Sequence, residues 1–177
     1  IVKYVGIMIG GRTTGFETNV NNITVQRNTI HIVEPGATDS DFTSGPGVWM
    51  MNANGGHVIR NNKIFFTGTT SVHGRDCINS GPNFAIGLTI RDTDIYDNLC
   101  DGATDDGFSL DGNSANLRVW GNIIRRANMG ISIAPILIGP TYIFRNVWYD
   151  LEPHWIGADK GQYELRWVKG GEGGTGH

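Results

Sequence analysis

Long apolar runs, clustered basic residues and helical periodicity are what this sequence lacks. No stretch approaches the ~18 consecutive apolar residues needed to cross a bilayer, and no basic start leads into an apolar segment of signal type. Membrane insertion is therefore not expected, and a signal for export is expected to lie outside this chain. Lysine and arginine together number 14 against 17 aspartates and glutamates, and the basic side chains are scattered rather than grouped. A net charge of −3 supplies no field for a phosphate backbone, so nucleic acid is not expected as a partner. The two cysteines, Cys77 and Cys100, match neither a zinc spacing nor a disulfide framework, and the reading they favour is two small buried thiols rather than a bridge.

What the chain does have is glycine, 26 residues of it, with β-branched and aromatic residues spread evenly between. That composition predicts many short strands joined by tight turns. At 177 residues the chain suits one domain, taken as 1–177. A short pattern recurs along it: a polar turn residue with apolar residues five and three positions before it and two after. Five segments fit, ITVQRNTI (23–30), HVIRNNKI (57–64), LTIRDTDI (88–95), LRVWGNII (117–124) and TYIFRNVW (141–148), with turns at Asn28, Asn62, Thr93, Asn122 and Asn146. The interval shrinks from 34 to 24 residues along the chain, which makes 24 the bare unit. Another short strand precedes each: GIMI (6–9), GVWM (47–50), a weaker match at 77–79, GFSL (107–110) and GISI (130–133).

A unit of three short strands cannot bury its own apolar face, but units stacked at the ~4.8 Å strand spacing enclose a continuous core. The expected fold is therefore all-β: a right-handed, single-stranded parallel β-helix, a solenoid of about five to six coils, the hand following the preference of parallel crossovers. The turn asparagines would form one hydrogen-bonded file, interrupted by Thr93, with Ile30, Ile64, Ile95, Ile124 and Trp148 inside. Variable loops are expected at 10–21, 33–46, 67–76 and 97–106, stacked on one side. Nothing at either end reads as a cap, so the stack is expected to continue beyond the chain or to meet another copy end to end.

The segments DDGFSLDG, LRVWGN, GISIAP and GPTYIFRNVWY resemble bacterial right-handed parallel β-helix repeat proteins, the pectate-lyase-like superfamily that includes polygalacturonases and phage tailspikes. The resemblance covers most of residues 6–150 and implies an extracellular or cell-surface location and a polysaccharide partner. In its polygalacturonase-like form it implies a carboxylate pair at Asp105 and Asp106 acting on water and on the leaving oxygen. The next coil reads Asn128-Met129-Gly130 where that pattern has Gly-His-Gly. In its lyase-like form it implies calcium held by aspartates, and an arginine or lysine as base.

On these grounds Asp105, Asp106, Arg91 and Arg75 are the candidate catalytic residues, and Asp101, Asp105 and Asp111 the candidate calcium ligands. Four aspartates within eleven positions repel one another unless something neutralises them, although aspartate is also a common turn former. Two outward files, Gln26, Arg60, Arg91, Trp120, Phe144 and His31, Phe65, Tyr96, Arg125, Tyr149, offer aromatic and arginine side chains to sugar rings and carboxylates, or to overlying loops. Arg60, Tyr96, Trp120 and His73 are the candidate substrate-binding residues. Two functions follow: a carbohydrate-active β-helix that binds and cleaves an acidic polysaccharide, and a non-catalytic structural or adhesive module of a surface or fibre protein.

Overall fold

In a computed structural model of the chain, the described residues are 5–10, 20–34, 45–68, 75–81, 90–112, 114–133, 136, 138–151 and 168–169. Among them there is no helix, and the strands fall into coils of three. The first coil is β1 (Ile7–Gly10), β2 (Thr24–Gln26) and β3 (Thr29–Glu34). The second is β4 (Val48–Met51), β5 (Val58–Arg60) and β6 (Lys63–Gly68), and the third β7 (Ile78–Asn79), β8 (Arg91–Tyr96) and β9 (Leu99–Asp101). The fourth is β10 (Asp106–Ser109), β11 (Ala115–Trp120) and β12 (Ile123–Arg125), and the fifth β13 (Met129–Ser132), β14 (Thr141–Phe144) and β15 (Val147–Tyr149). β16 (Val168–Lys169) follows on β13.

Corresponding strands pair in parallel, giving a first sheet β1-β4-β7-β10-β13-β16, a second β14-β11-β8-β5-β2 and a third β15-β12-β9-β6-β3. This is a parallel β-helix. Register lines up one interior file per sheet: Ile7, Val48, Ile78, Phe108 and Ile131 in the first; Val25, Ile59, Ile95, Val119 and Ile143 in the second. The third file runs Ile30, Ile64, Cys100, Ile124 and Trp148. Each fully buried isoleucine contributes roughly 1.5–3 kcal/mol, so the three files are a large part of what holds the coils together.

The strands stay short because the chain turns at fixed places. Between the second and third strands of every coil stands one residue with positive φ: Arg27, Asn61, Asp97, Gly121 and Arg145, at 56, 54, 53, 65 and 55°. For the four that are not glycine this conformation costs roughly 1–2 kcal/mol each. The asparagine that follows in the first four coils offsets that cost by hydrogen bonds to the next coil.

Three expectations are corrected. The third rung of the asparagine file is Asn98, not Thr93, which lies inside the second sheet with its hydroxyl donating to the Arg91 carbonyl at 2.9 Å. The pattern positions around Asn98 are held by Thr93, Ile95 and Cys100, of which only Ile95 is strongly apolar, whereas Leu88, Ile90 and Ile95 imitate the pattern around Thr93. Ile95 accordingly belongs to the second file, and the outward files run Gln26, Arg60, Tyr96, Trp120, Phe144 and His31, Phe65, Asp101, Arg125, Tyr149. Residues 97–106 are not a loop: they hold the corner, β9 and the turn into β10. The third coil is instead lengthened between β7 and β8. Finally, Cys77 and Cys100 are bonded to each other. Of the remaining expected loops, 11–19, 35–44 and 69–74 lie outside the described residues.

Candidate functional site: a carboxylate cluster beside the first sheet

The longest intervals between strands fall on either side of the first sheet, between β1 and β2, β3 and β4, β6 and β7, β7 and β8, and β15 and β16. The cluster with most chemical content lies at that sheet's entry corner. Arg75-Asp76 leads into β7 and Asp105-Asp106 leads into β10 one coil later. Pairing of Ile78 with Phe108 therefore sets Asp106 beside Asp76 and Asp105 beside Arg75. The Asp105 backbone N–H donates to the Arg75 carbonyl at 3.4 Å and the Cys77 N–H to the Gly107 carbonyl at 2.9 Å.

Asp76, Asp105 and Asp106 each place a carboxylate oxygen within 4.8 Å of the others. Asp76 is 4% exposed and Asp106 2%, while Asp105 is half-buried. Asp76 accepts from the Asp106 backbone N–H at 3.0 Å and from the Asn79 side-chain amide at 2.6 Å. The Asn79 amide is oriented in turn, because its Oδ1 accepts from the Gly81 N–H at 2.7 Å. Burial first, then the negative charges of Asp105 and Asp106, push the Asp76 carboxyl well above the usual carboxylate range; the bonds from Asn79 and from the Asp106 N–H pull the other way. Burial also lowers the Arg75 guanidinium to about 10.

Of the three adjoining carboxyls, Asp76, the one whose range is raised, is the hardest to ionise. A carboxyl raised in this way beside two others is the kind of pairing that general acid–base chemistry uses. The same oxygens are hard donors of the kind calcium takes, up to two from each carboxyl. Asn128, which follows Asp105 by one coil, has an Oδ1 that is buried and without a hydrogen-bond partner. These residues fit a calcium ion as a donor set.

The other expected site residues are dispersed. Asp101 lies on the third sheet, where Arg125 Nη2 and Arg126 Nε donate to its two oxygens at 2.7 and 2.6 Å. Burial works against its ionised form, but the hydrogen bonds and charges of Arg126 and Arg125 hold its carboxyl below the usual range. Asp111, fully buried, accepts from the hydroxyls of Ser109 at 3.3 Å and Ser132 at 2.6 Å. Arg91 stands at the opposite corner, between the first and second sheets, donating from Nε to Asn54 Oδ1 at 2.9 Å. Arg60 bridges Gln26 at 2.9 Å and the Tyr96 hydroxyl at 2.8 Å. The Tyr96 and Trp120 rings stack on each other at 4.4 Å, and Trp120 on Phe144 at 5.7 Å, so each of these rings has at least one face on a neighbouring ring. His73 lies outside the described residues.

Of the expected residues, then, the structure brings together Arg75, Asp105 and Asp106, and it adds Asp76 and Asn79. The signal for Asp76 was present: aligning RDCIN (75–79) on DDGFS (105–109) superimposes it on Asp106. No family model matches the chain, and neither a curated protein nor a solved structure does. Fold and site together define a parallel β-helix with a buried acidic cluster beside its first sheet, and no helix among the described residues is long and apolar enough to cross a membrane.

Proposed function

We propose that this β-helix is an extracellular carbohydrate-active protein of pectate-lyase-like kind, which binds an acidic polysaccharide beside the first sheet and cleaves it by acid–base chemistry at Asp76, Asp105 and Asp106. The observation that carries the reading is the convergence of three carboxylates from two consecutive coils, with the Asp76 carboxyl pushed above its ordinary range by burial and by the charges of Asp105 and Asp106. A protonated carboxyl next to an ionised one is what glycosidic cleavage needs on the two sides of the bond. The disulfide supports a location outside the cytoplasm, where such bonds form and persist. A uronate polymer would bring its own negative charge, which Arg75 or a calcium ion in the cluster would offset.

The burial of Asp76 and Asp106 favours a second reading, because it leaves Asp105 as the member of the trio with most access to solvent. In that reading the cluster is structural and the chain is a non-catalytic adhesive or fibre module. Incubation with a panel of uronate polymers, followed by reducing ends and by the absorbance of unsaturated products, separates the two. New reducing ends that disappear in Asp76→Asn and Asp105→Asn support cleavage. Polymer binding without any product, unchanged in both variants, supports the adhesive module and ends the enzymatic reading.

A further inference from the structure

The disulfide stands where the neighbouring coils have a different pair. In the first, second and fourth coils the residue entering the first-sheet strand is glycine, facing an isoleucine of the third sheet. A Cβ added to Gly6, Gly47 or Gly107 would lie 2.5, 2.2 or 2.5 Å from Cγ2 of Ile30, Ile64 or Ile124. In the third coil the same two positions are Cys77 and Cys100. Glycine plus isoleucine carries four side-chain heavy atoms, and so does a pair of cysteines. The disulfide therefore fills the volume that isoleucine fills elsewhere.

That equivalence holds only while the sulfurs are bonded. Bonded sulfurs are about 2.05 Å apart, whereas non-bonded heavy atoms keep roughly 3.5–4 Å. Two thiols would need the first and third sheets to spread at this level, and both sulfurs are closed in by the coils on either side. Cys77 Sγ lies 3.7 Å from the Ile64 carbonyl oxygen and Cys100 Sγ 3.7 Å from that of Gly107, and neither cysteine is exposed. Cys77 is also the next residue after Asp76, so spreading at this level displaces the carboxylate cluster.

We propose that the Cys77–Cys100 bond is the closing step of the third coil and makes assembly of the solenoid and its carboxylate cluster conditional on oxidation. The chain held reduced does not form the site; the chain delivered to an oxidising compartment does. The oxidant is a disulfide, either small-molecule or carried by an oxidoreductase. A cysteine thiolate attacks it to form a mixed disulfide, the second cysteine displaces the carrier thiol, and the two electrons and two protons end on the two thiols of the reduced oxidant.

The test is refolding from guanidinium and dithiothreitol into either glutathione redox buffer or dithiothreitol, with free thiols counted and the melt followed by circular dichroism. Wild type is expected to regain its cooperative melt with no free thiol in the glutathione buffer, and in dithiothreitol to melt about 10 °C lower or more, or not cooperatively. Cys77→Gly with Cys100→Ile restores the neighbouring pair and is expected to refold equally in both buffers. Cys77→Ser with Cys100→Ser, which can neither bond nor fill the space, is expected to refold poorly in both. Wild type carrying two free thiols yet melting within about 2 °C of the oxidised protein overturns the proposal. So does a glycine–isoleucine variant that refolds no better than the double serine.

Discussion

Asn98 donates twice to a single atom of Asn122: its backbone N–H and its side-chain amide both reach Oδ1, each at 3.0 Å. The same double bond joins Asn28 to Asn62 at 3.1 and 3.0 Å, Asn62 to Asn98 at 3.0 and 2.9 Å, and Asn122 to Asn146 at 3.1 and 2.9 Å. Each amide from Asn62 onward also caps a strand carbonyl of the preceding coil: Val25, Ile59, Ile95 and Val119 in turn. One side-chain type thus satisfies the corner's polar groups in every coil, where water would otherwise have to enter.

The rungs should therefore differ in cost according to burial. Asn98→Ala removes the acceptor from two Asn62 donors and uncaps Ile59, all inside the stack, and is expected to cost about 2–3 kcal/mol. Asn146→Ala, at the partly buried last rung, is expected to cost about 1–2 kcal/mol. Urea midpoints measure the difference. Equal midpoints would show that the rungs do not act through one another.

The architecture was legible because stacking repeats a local pattern in every coil, and β-branched residues at alternate positions announce it. Reading failed where a coil satisfies the same physics with other atoms. Asn98 was passed over because Cys100 stands where Asn28, Asn62 and Asn122 are followed by isoleucine, and because Leu88, Ile90 and Ile95 imitate the pattern around Thr93. Cys77 and Cys100 looked unrelated because their pairing depends on two positions facing each other across the core, a relation that spacing alone does not carry. Asp105 and Asp106 were found from their density in the sequence. Asp76 joins them only through strand pairing, and Asp101 and Asp111 leave the group for the same reason: each is bonded to the coil that follows it, Asp101 to Arg125 and Arg126 and Asp111 to Ser132.

Position along the second sheet decides the next outcome. Val119 is fully buried between Ile95 and Ile143, while the adjacent Arg118 points outward to Asp94. Val119→Asp buries an unpaired charge and is expected to abolish the cooperative melt. Arg118→Ala breaks a surface ion pair and is expected to cost less than about 1 kcal/mol. Similar melts for the two variants would mean that the assigned inward and outward faces are reversed.

Asp76 makes a prediction about pH whose sign can be worked out. Its folded carboxyl titrates above the unfolded value of about 3.9, so the unfolded chain gives up this proton first as pH rises. The contribution is fully present below pH about 4 and is lost as pH climbs through the folded value. Asp76→Asn has no such proton to lose. Its melting temperature is expected to gain on wild type as pH rises from about 4 to 7, and the gap between them to narrow in acid. A gap that widens as pH falls would show that Asp76 is ionised and favourably paired in the fold.

Calcium should act on the same cluster in the opposite sense. The ion binds carboxylates, so it must displace the proton that Asp76 holds, and its effect on the melt should grow across the pH range in which Asp76 by itself loses stability. A ligand that binds only the folded state stabilises it by RT ln(1 + [L]/Kd), about 2.7 kcal/mol at a hundred times Kd. Millimolar calcium is thus expected to raise the melting temperature at pH 7 and to do much less at pH 4. Magnesium, smaller and reluctant to lose its waters, is expected to have the weaker effect at both. Asp105→Ala with Asp106→Ala removes two of the three carboxyls and should abolish the response. If calcium leaves the wild-type melt unmoved at pH 7, the trio does not bind the ion. If the double variant then also leaves melting and polymer binding unchanged, Asp105 and Asp106 are turn residues and the adhesive reading stands in place of the enzymatic one.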